Sequence, residues 1–142
     1  MLRGYMGDKL FFDGIVKYYE QYKYKTVMTK DFQAVMEDVI GEDLNWFFDQ
    51  WIYKPGYPIF LYEEEWNSRN EGNGSLIVNI SQVQKDDWPT FTVPTQICWG
   101  EKNCKSIRID KKKKSYEFKF ETKPQKIGIL DPKGWILKEI SY

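Results

Sequence analysis

The chain has 142 residues, of which 42% are hydrophobic and 18% aromatic, enough apolar side chain to offset chain entropy in one domain or two small packed units. Lysine plus arginine number 21 and aspartate plus glutamate 21, so no net field gathers phosphate backbones or anionic lipid, and neither nucleic acid nor membrane is expected as a partner. Histidine is absent, which excludes every imidazole base, histidine triad and histidine zinc ligand.

The first half reads as helices. After Gly7-Asp8, where Asp8 can accept bonds from the first exposed backbone N–H groups, Phe11, Ile15, Tyr19 and Tyr22 recur at helical spacing to about Lys23. Thr29 is a good N-cap for a second helix with the stripe Phe32, Val35, Met36, Val39 and Ile40, and Gly41 can take the left-handed conformation that ends it. Asp43 can cap a third, short helix presenting Leu44, Phe47, Phe48 and Trp51 on one side. Lys54-Pro55-Gly56 forbids its continuation.

Beyond Pro58 the period becomes alternating. The pattern predicts strands at Ile59–Trp66, Leu76–Val83, Thr90–Trp99, Cys104–Asp110, Tyr116–Glu121, Lys126–Leu130 and Trp135–Ile140. Turn chemistry separates them in Asn70-Glu71-Gly72-Asn73-Gly74, Gly100-Glu101-Lys102-Asn103 and Asp131-Pro132-Lys133-Gly134. Short strands without intervening helices favour an antiparallel sandwich, so the fold class expected is α+β: a short α-helical segment, then a seven-stranded antiparallel β-sandwich. No stretch approaches the roughly 18 apolar residues needed to span a bilayer, and Met1-Leu2-Arg3 lacks a signal-peptide run, so the compartment is left unassigned.

Several features invite chemistry. Cys98 and Cys104 are too few for a structural zinc site without histidine; they flank a turn and could form a disulfide in an oxidising compartment, with free thiols the alternative. Glu63-Glu64-Glu65 suggests paired glycosidase carboxylates, but in a strand only Glu63 and Glu65 share a face, where acids are ordinarily solvated. Lys111-Lys112-Lys113-Lys114 reads as a charged hairpin tip, since no aromatics interleave it. Trp66, Trp88, Trp99 and Trp135 could stack on sugars if exposed, although strands favour large aromatics for packing alone. Asn73-Gly74-Ser75 and Asn79-Ile80-Ser81 match the glycosylation acceptor pattern, which carries weight only in a secretory context.

The strings Met1-Leu2-Arg3, Gly7-Asp8, Phe11, Tyr18-Tyr19, Phe32 and Leu44-Asn45-Trp46-Phe47-Phe48-Asp49-Gln50-Trp51, followed by Pro55-Gly56-Tyr57-Pro58, run in one order. This order resembles the aminopeptidase N-like zinc metallopeptidases, the gluzincins. In that family a Phe-Phe-x-x-Trp helix running into Pro-Gly-x-Pro closes the catalytic domain, and a small β domain follows; Leu130-Asp131-Pro132 and Gly134-Trp135-Ile136-Leu137 agree with it in pattern. The resemblance implies that residues 1-56 are the helical C-terminal portion of the catalytic domain and 57-142 an Ig-like β-sandwich, with Met1 an internal start.

The family's His-Glu-x-x-His helix, its third ligand glutamate, its Gly-x-Met-Glu-Asn loop and its transition-state tyrosine have no counterpart in these residues. The resemblance therefore implies no catalytic, metal or cofactor-binding residue in the chain itself, and zinc only in a parent aminopeptidase. What it implies here is structural: Phe47, Phe48 and Trp51 as packing, and Pro55, Gly56 and Pro58 as the corner that sets the exit direction. The expected partner is the remainder of the catalytic domain, with an apolar patch around the first two helices that self-association could cover. The alternatives are a non-catalytic scaffold relative of the family and a carbohydrate-binding sandwich using Trp88 or Trp99.

Overall fold

A computed structural model describes residues 1–68 and 73–142, which form two compact units, Met1–Lys54 and Pro55–Tyr142. The expected turn at Asn70, Glu71 and Gly72 lies outside the described residues.

The first unit is helical, with α1 (Leu2–Met6), α2 (Asp8–Tyr22), α3 (Thr29–Ile40), α4 (Asn45–Phe48) and a π-helical turn at Asp49–Tyr53. Helix α1 is not signalled by periodicity, being five residues long and without a side-chain cap. Gly7, at φ 78°, ends it by donating its N–H to Arg3 O at 2.9 Å and also sits at the start of α2. Asp8 therefore does not cap α2 as expected. It is the first helical residue, and its carboxylate pairs with the Arg3 guanidinium at 2.8 and 3.0 Å.

Thr29 is likewise displaced by one position. Met28 is the N-cap residue, and Asp31 closes the turn by accepting the Met28 N–H at 2.7 Å. Gly41 ends α3 in the left-handed conformation (φ 75°, ψ 21°), as expected. Asp43 is displaced like Asp8 and Thr29: Leu44 is the N-cap residue of α4, and the Asp43 carboxylate accepts the Asn45 N–H at 2.8 Å from one position earlier.

The packing face of α2 differs from the expected stripe. Buried Gly14 lets Met36 approach so closely that a Cβ there would lie 2.5 Å from Met36 Sδ. Leu10, Phe11, Tyr18 and Tyr22 flank it, and the Tyr18 ring meets Phe32 edge-on at 5.2 Å. Ile15 and Tyr19 point outward with Phe12 and Val16, a second apolar stripe at helical spacing.

The second unit is a sandwich of seven strands: β1 (Ile59–Ser68), β2 (Gly74–Gln82), β3 (Val93–Cys98), β4 (Cys104–Ile109), β5 (Lys113–Phe120), β6 (Ile129–Leu130) and β7 (Glu139–Ser141). They form a four-stranded sheet in the order β5-β2-β1-β7 and a three-stranded sheet in the order β4-β3-β6. Alternation puts Phe60, Tyr62, Leu76, Val78 and Ile80 of one sheet against Val93, Ile97, Ile107, Ile109 and Leu130 of the other, all buried.

The expected all-antiparallel arrangement needs one correction, because β7 pairs parallel to β1 (Ile59↔Glu139 to Leu61↔Ser141). The segment after β6 crosses from one sheet to the other and delivers Glu139–Ser141 in the direction of β1. That crossing takes up most of the predicted strand Trp135–Ile140, leaving only its end extended.

Cys98 and Cys104 stand opposite each other in the β3–β4 register, with Cα atoms 4.1 Å apart, and are joined by a disulfide. Because the bond closes a short loop, replacing both cysteines by serine is expected to lower stability by only about 2 kcal/mol. A urea midpoint compared with the unmodified chain measures it, and a loss of about 5 kcal/mol or more would contradict a loop-closure origin.

Candidate functional site

The Phe-Phe-x-x-Trp segment sits at the centre of the helical unit. Phe47 and Phe48 are buried with Leu2, Met6, Met36 and Leu44, and Trp51 packs partly buried against the same cluster. Their rings adopt the offset and edge-on arrangements favoured by aromatic quadrupoles: Phe47–Phe48 at 5.7 Å and 71°, Phe47–Trp51 at 6.5 Å and 50°, and Trp46–Phe47 at 5.7 Å and 87°. Polar ties hold the approach to this cluster. Glu37 Oε1 accepts from the Leu44 N–H at 2.9 Å and from Gln33 Nε2 at 2.8 Å, and Gln33 Nε2 also donates to Asn45 Oδ1 at 2.9 Å. Phe47, Phe48 and Trp51 therefore fill space, and none carries a group that can exchange protons or ligate a metal.

The Pro-Gly-x-Pro segment belongs to the sandwich unit and is shaped by one glycine. Gly56 lies at φ +93°, where L-residues are strained, and a Cβ on it would come 2.2 Å from the Trp88 ring. Pro55 is exposed and Pro58 fully buried. Between them the Tyr57 ring rests 5.3 Å from Trp88, and its hydroxyl donates to Glu139 Oε1 at 2.5 Å, a bond to a carboxylate that raises the phenol's pKa. Pro58 O accepts the Glu139 N–H at 3.1 Å, so the corner is fastened to β7.

The remaining candidates sort by what they touch. Glu63 and Glu65 are exposed on the outer face of β1, as alternation implies. In the lysine run, Lys112 pairs with Asp86 and Lys114 with Asp110, each at 2.8 Å. Trp99 is buried, meeting Phe118 and Phe120 edge-on at 5.1 and 5.2 Å, while Trp66, Trp88 and Trp135 are half-buried. None of the four offers the open flat face that a sugar platform needs.

Sequence reasoning overlooks Glu64, which points inward. Its Oε1 accepts from the Tyr62 hydroxyl (2.5 Å), Trp99 Nε1 (2.6 Å) and the Gly128 N–H (2.9 Å). Gly128 is required there, since a Cβ would lie 2.5 Å from the Tyr62 oxygen and 2.6 Å from Trp99 Nε1. Burial, and then the bond to Glu64, raise the Tyr62 pKa far above its ordinary value. The signal available in the sequence was a lone carboxylate on the apolar side of an alternating strand.

The donor chemistry does not fit zinc. The sequence has no imidazole, both thiols are consumed by the disulfide, and among the described residues no three His, Cys, Asp or Glu side chains converge to hold a metal ion. Among those residues, too, no helix is long and apolar enough to cross a membrane.

Residues 1–51 match the model of the peptidase family M1 domain. Among curated relatives, aminopeptidase N of Lactococcus lactis subsp. lactis is 34% identical over 63 residues, 44% of this chain and 7% of that protein. Leucyl aminopeptidase of Saccharolobus solfataricus is 25% identical over 133 residues, 91% of this chain and 16% of that protein. The crystal structure of Legionella pneumophila aminopeptidase A in complex with aspartic acid superposes with a TM-score of 0.79 at 19% identity, covering 100% of this chain and 16% of that one, a likeness of fold. The chain thus spans only a small part of the length of these relatives.

Proposed function

We propose, for a chain that belongs to the aminopeptidase N-like M1 peptidase family, that these residues are the supporting end of a catalytic domain together with the β-sandwich that follows it in the chain. The parent reaction is removal of amino-terminal residues from peptides by a zinc-activated water, and the groups that carry it lie outside these 142 residues. One observation carries this reading: a sequence matching the M1 peptidase domain over residues 1–51 contains no histidine with which to hold the family's metal.

The outward stripe of α2 supports the same reading. Phe12, Ile15, Val16 and Tyr19 recur at helical spacing, with Val16 56% and Tyr19 62% exposed, and such a stripe calls for an apolar partner. The remainder of the catalytic domain is that partner; in its absence a second copy of the chain can take its place.

The test is direct. The purified chain is expected to retain no stoichiometric zinc by elemental analysis and to release no chromophore from an aminoacyl p-nitroanilide. The coding sequence extended upstream should contain His-Glu-x-x-His, and the extended protein should do both. Turnover or tight zinc by the 142 residues alone would overturn the reading, and an upstream sequence with the ligands replaced would favour a non-catalytic relative.

A further inference from the structure

The sandwich carries a cleft of about 400 Å³ whose lining includes Tyr62, Glu63, Glu64, Trp66, Leu76 and Tyr142. Its open aromatic wall is the exposed Tyr142 ring, which packs 5.3 Å from the buried Tyr62 ring at 60°. Its polar anchor is fixed rather than mobile, because three donors all take one oxygen of Glu64, Oε1. The second oxygen has no bond to the protein, yet no buried side-chain oxygen among the described residues lacks a partner, so Oε2 faces solvent. A pre-oriented carboxylate oxygen beside an exposed aromatic ring matches an organic cation: the carboxylate supplies the charge-assisted bond and the Tyr142 ring the cation–π surface.

From this arrangement we propose that the cleft is a binding site for an alkyl-ammonium or guanidinium group, such as the side chain of a lysine or arginine on a peptide. Lys123 and Lys126 also line the cleft but are exposed, and neither pairs with Glu63 or Glu64. The ion pairs of the sandwich include Lys112–Asp86, Lys114–Asp110 and Lys138–Asp131, none of which draws on Glu63 or Glu64. The two lysines therefore leave the anchor open and oppose a cation only at the rim.

The experiment titrates the full 142-residue chain with Nα-acetyl-lysine amide, Nα-acetyl-arginine amide and the neutral Nα-acetyl-norleucine amide, following the NMR resonances of Trp99 Nε1–H and Gly128 N–H. Either cationic amide, or both, is expected to shift these signals with a Kd of about 1–10 mM, and their relative affinities distinguish ammonium from guanidinium. The norleucine compound should leave them unmoved. Glu64→Gln, which retains an acceptor for all three donors, should weaken the cation about tenfold. Should that variant fold poorly, Lys123→Ala/Lys126→Ala provides the second arm and is expected to tighten binding. The proposal is overturned if norleucine amide binds as well as the cations, if no probe shifts the signals, or if removing the lysines weakens binding.

Discussion

Asp131→Ala is expected to destabilise the sandwich by about 3–5 kcal/mol, because it strips the partner from a buried charge. The Asp131 carboxylate accepts the Trp135 N–H at 3.0 Å, the Ile136 N–H at 2.9 Å and the Lys138 ammonium at 2.6 Å. The side chains of Asp131 and Lys138 are only 5% and 13% exposed, so little water can replace what is lost. The residue also stands at φ 53°, where alanine is strained and asparagine tolerated. Asp131→Asn keeps one acceptor and the backbone preference and should lose markedly less. Urea denaturation of the two variants, read on the sandwich transition, separates the charge from the turn; a loss under about 1 kcal/mol for alanine would show that the pair is solvated.

Phe48→Ala is the counterpart in the helical unit, with an expected loss of about 3–5 kcal/mol from truncation plus the cavity left behind. Phe48 is 3% exposed and touches both the Phe47 ring and, at 6.3 Å, the Phe32 ring. A unit as short as Met1–Lys54 buries a smaller share of its surface than a full-sized domain does, so a loss of this size removes most of its margin. Far-UV circular dichroism at 25 °C should therefore report helix loss. Exposed Ile52, four positions on, is the control, and its alanine variant should stay within about 0.5 kcal/mol. Equal effects at the two positions would mean that the aromatic cluster is not the core.

Much of the fold was legible because the local signals agreed with the final packing. Strands β1 to β5 follow from alternation, and Gly41 ends its helix as its residue type suggests. The failures have identifiable causes. Helix α2 is apolar on two sides, so periodicity could not tell the face with Gly14, which admits Met36, from the face with Ile15 and Tyr19, which remains exposed. Asp8 and Thr29 are sound capping types, but Gly7 and Met28 hold the cap positions, a slip of one residue that sequence patterns rarely resolve.

The site was legible in part. Phe47, Phe48 and Trp51 were readable as packing because aromatics at that spacing share one helical face. Glu64 was not, since its donors Trp99 and Gly128 lie 35 and 64 positions away and meet it only once both sheets have formed. The buried tie from Asp131 to Lys138 was hidden for a different reason: Asp-Pro-x-Gly announces a turn but not what the aspartate holds.

The short parallel pairing of β7 bears on how the sandwich assembles. Glu139 holds Tyr57 across 82 positions of chain, so nearly the whole unit must be synthesised before this seam can close. Until then the Ile59–Leu61 edge of a nascent sandwich stands bare beside neighbouring chains. Pairing with β7 thus closes the interval in which that edge is most open to aggregation.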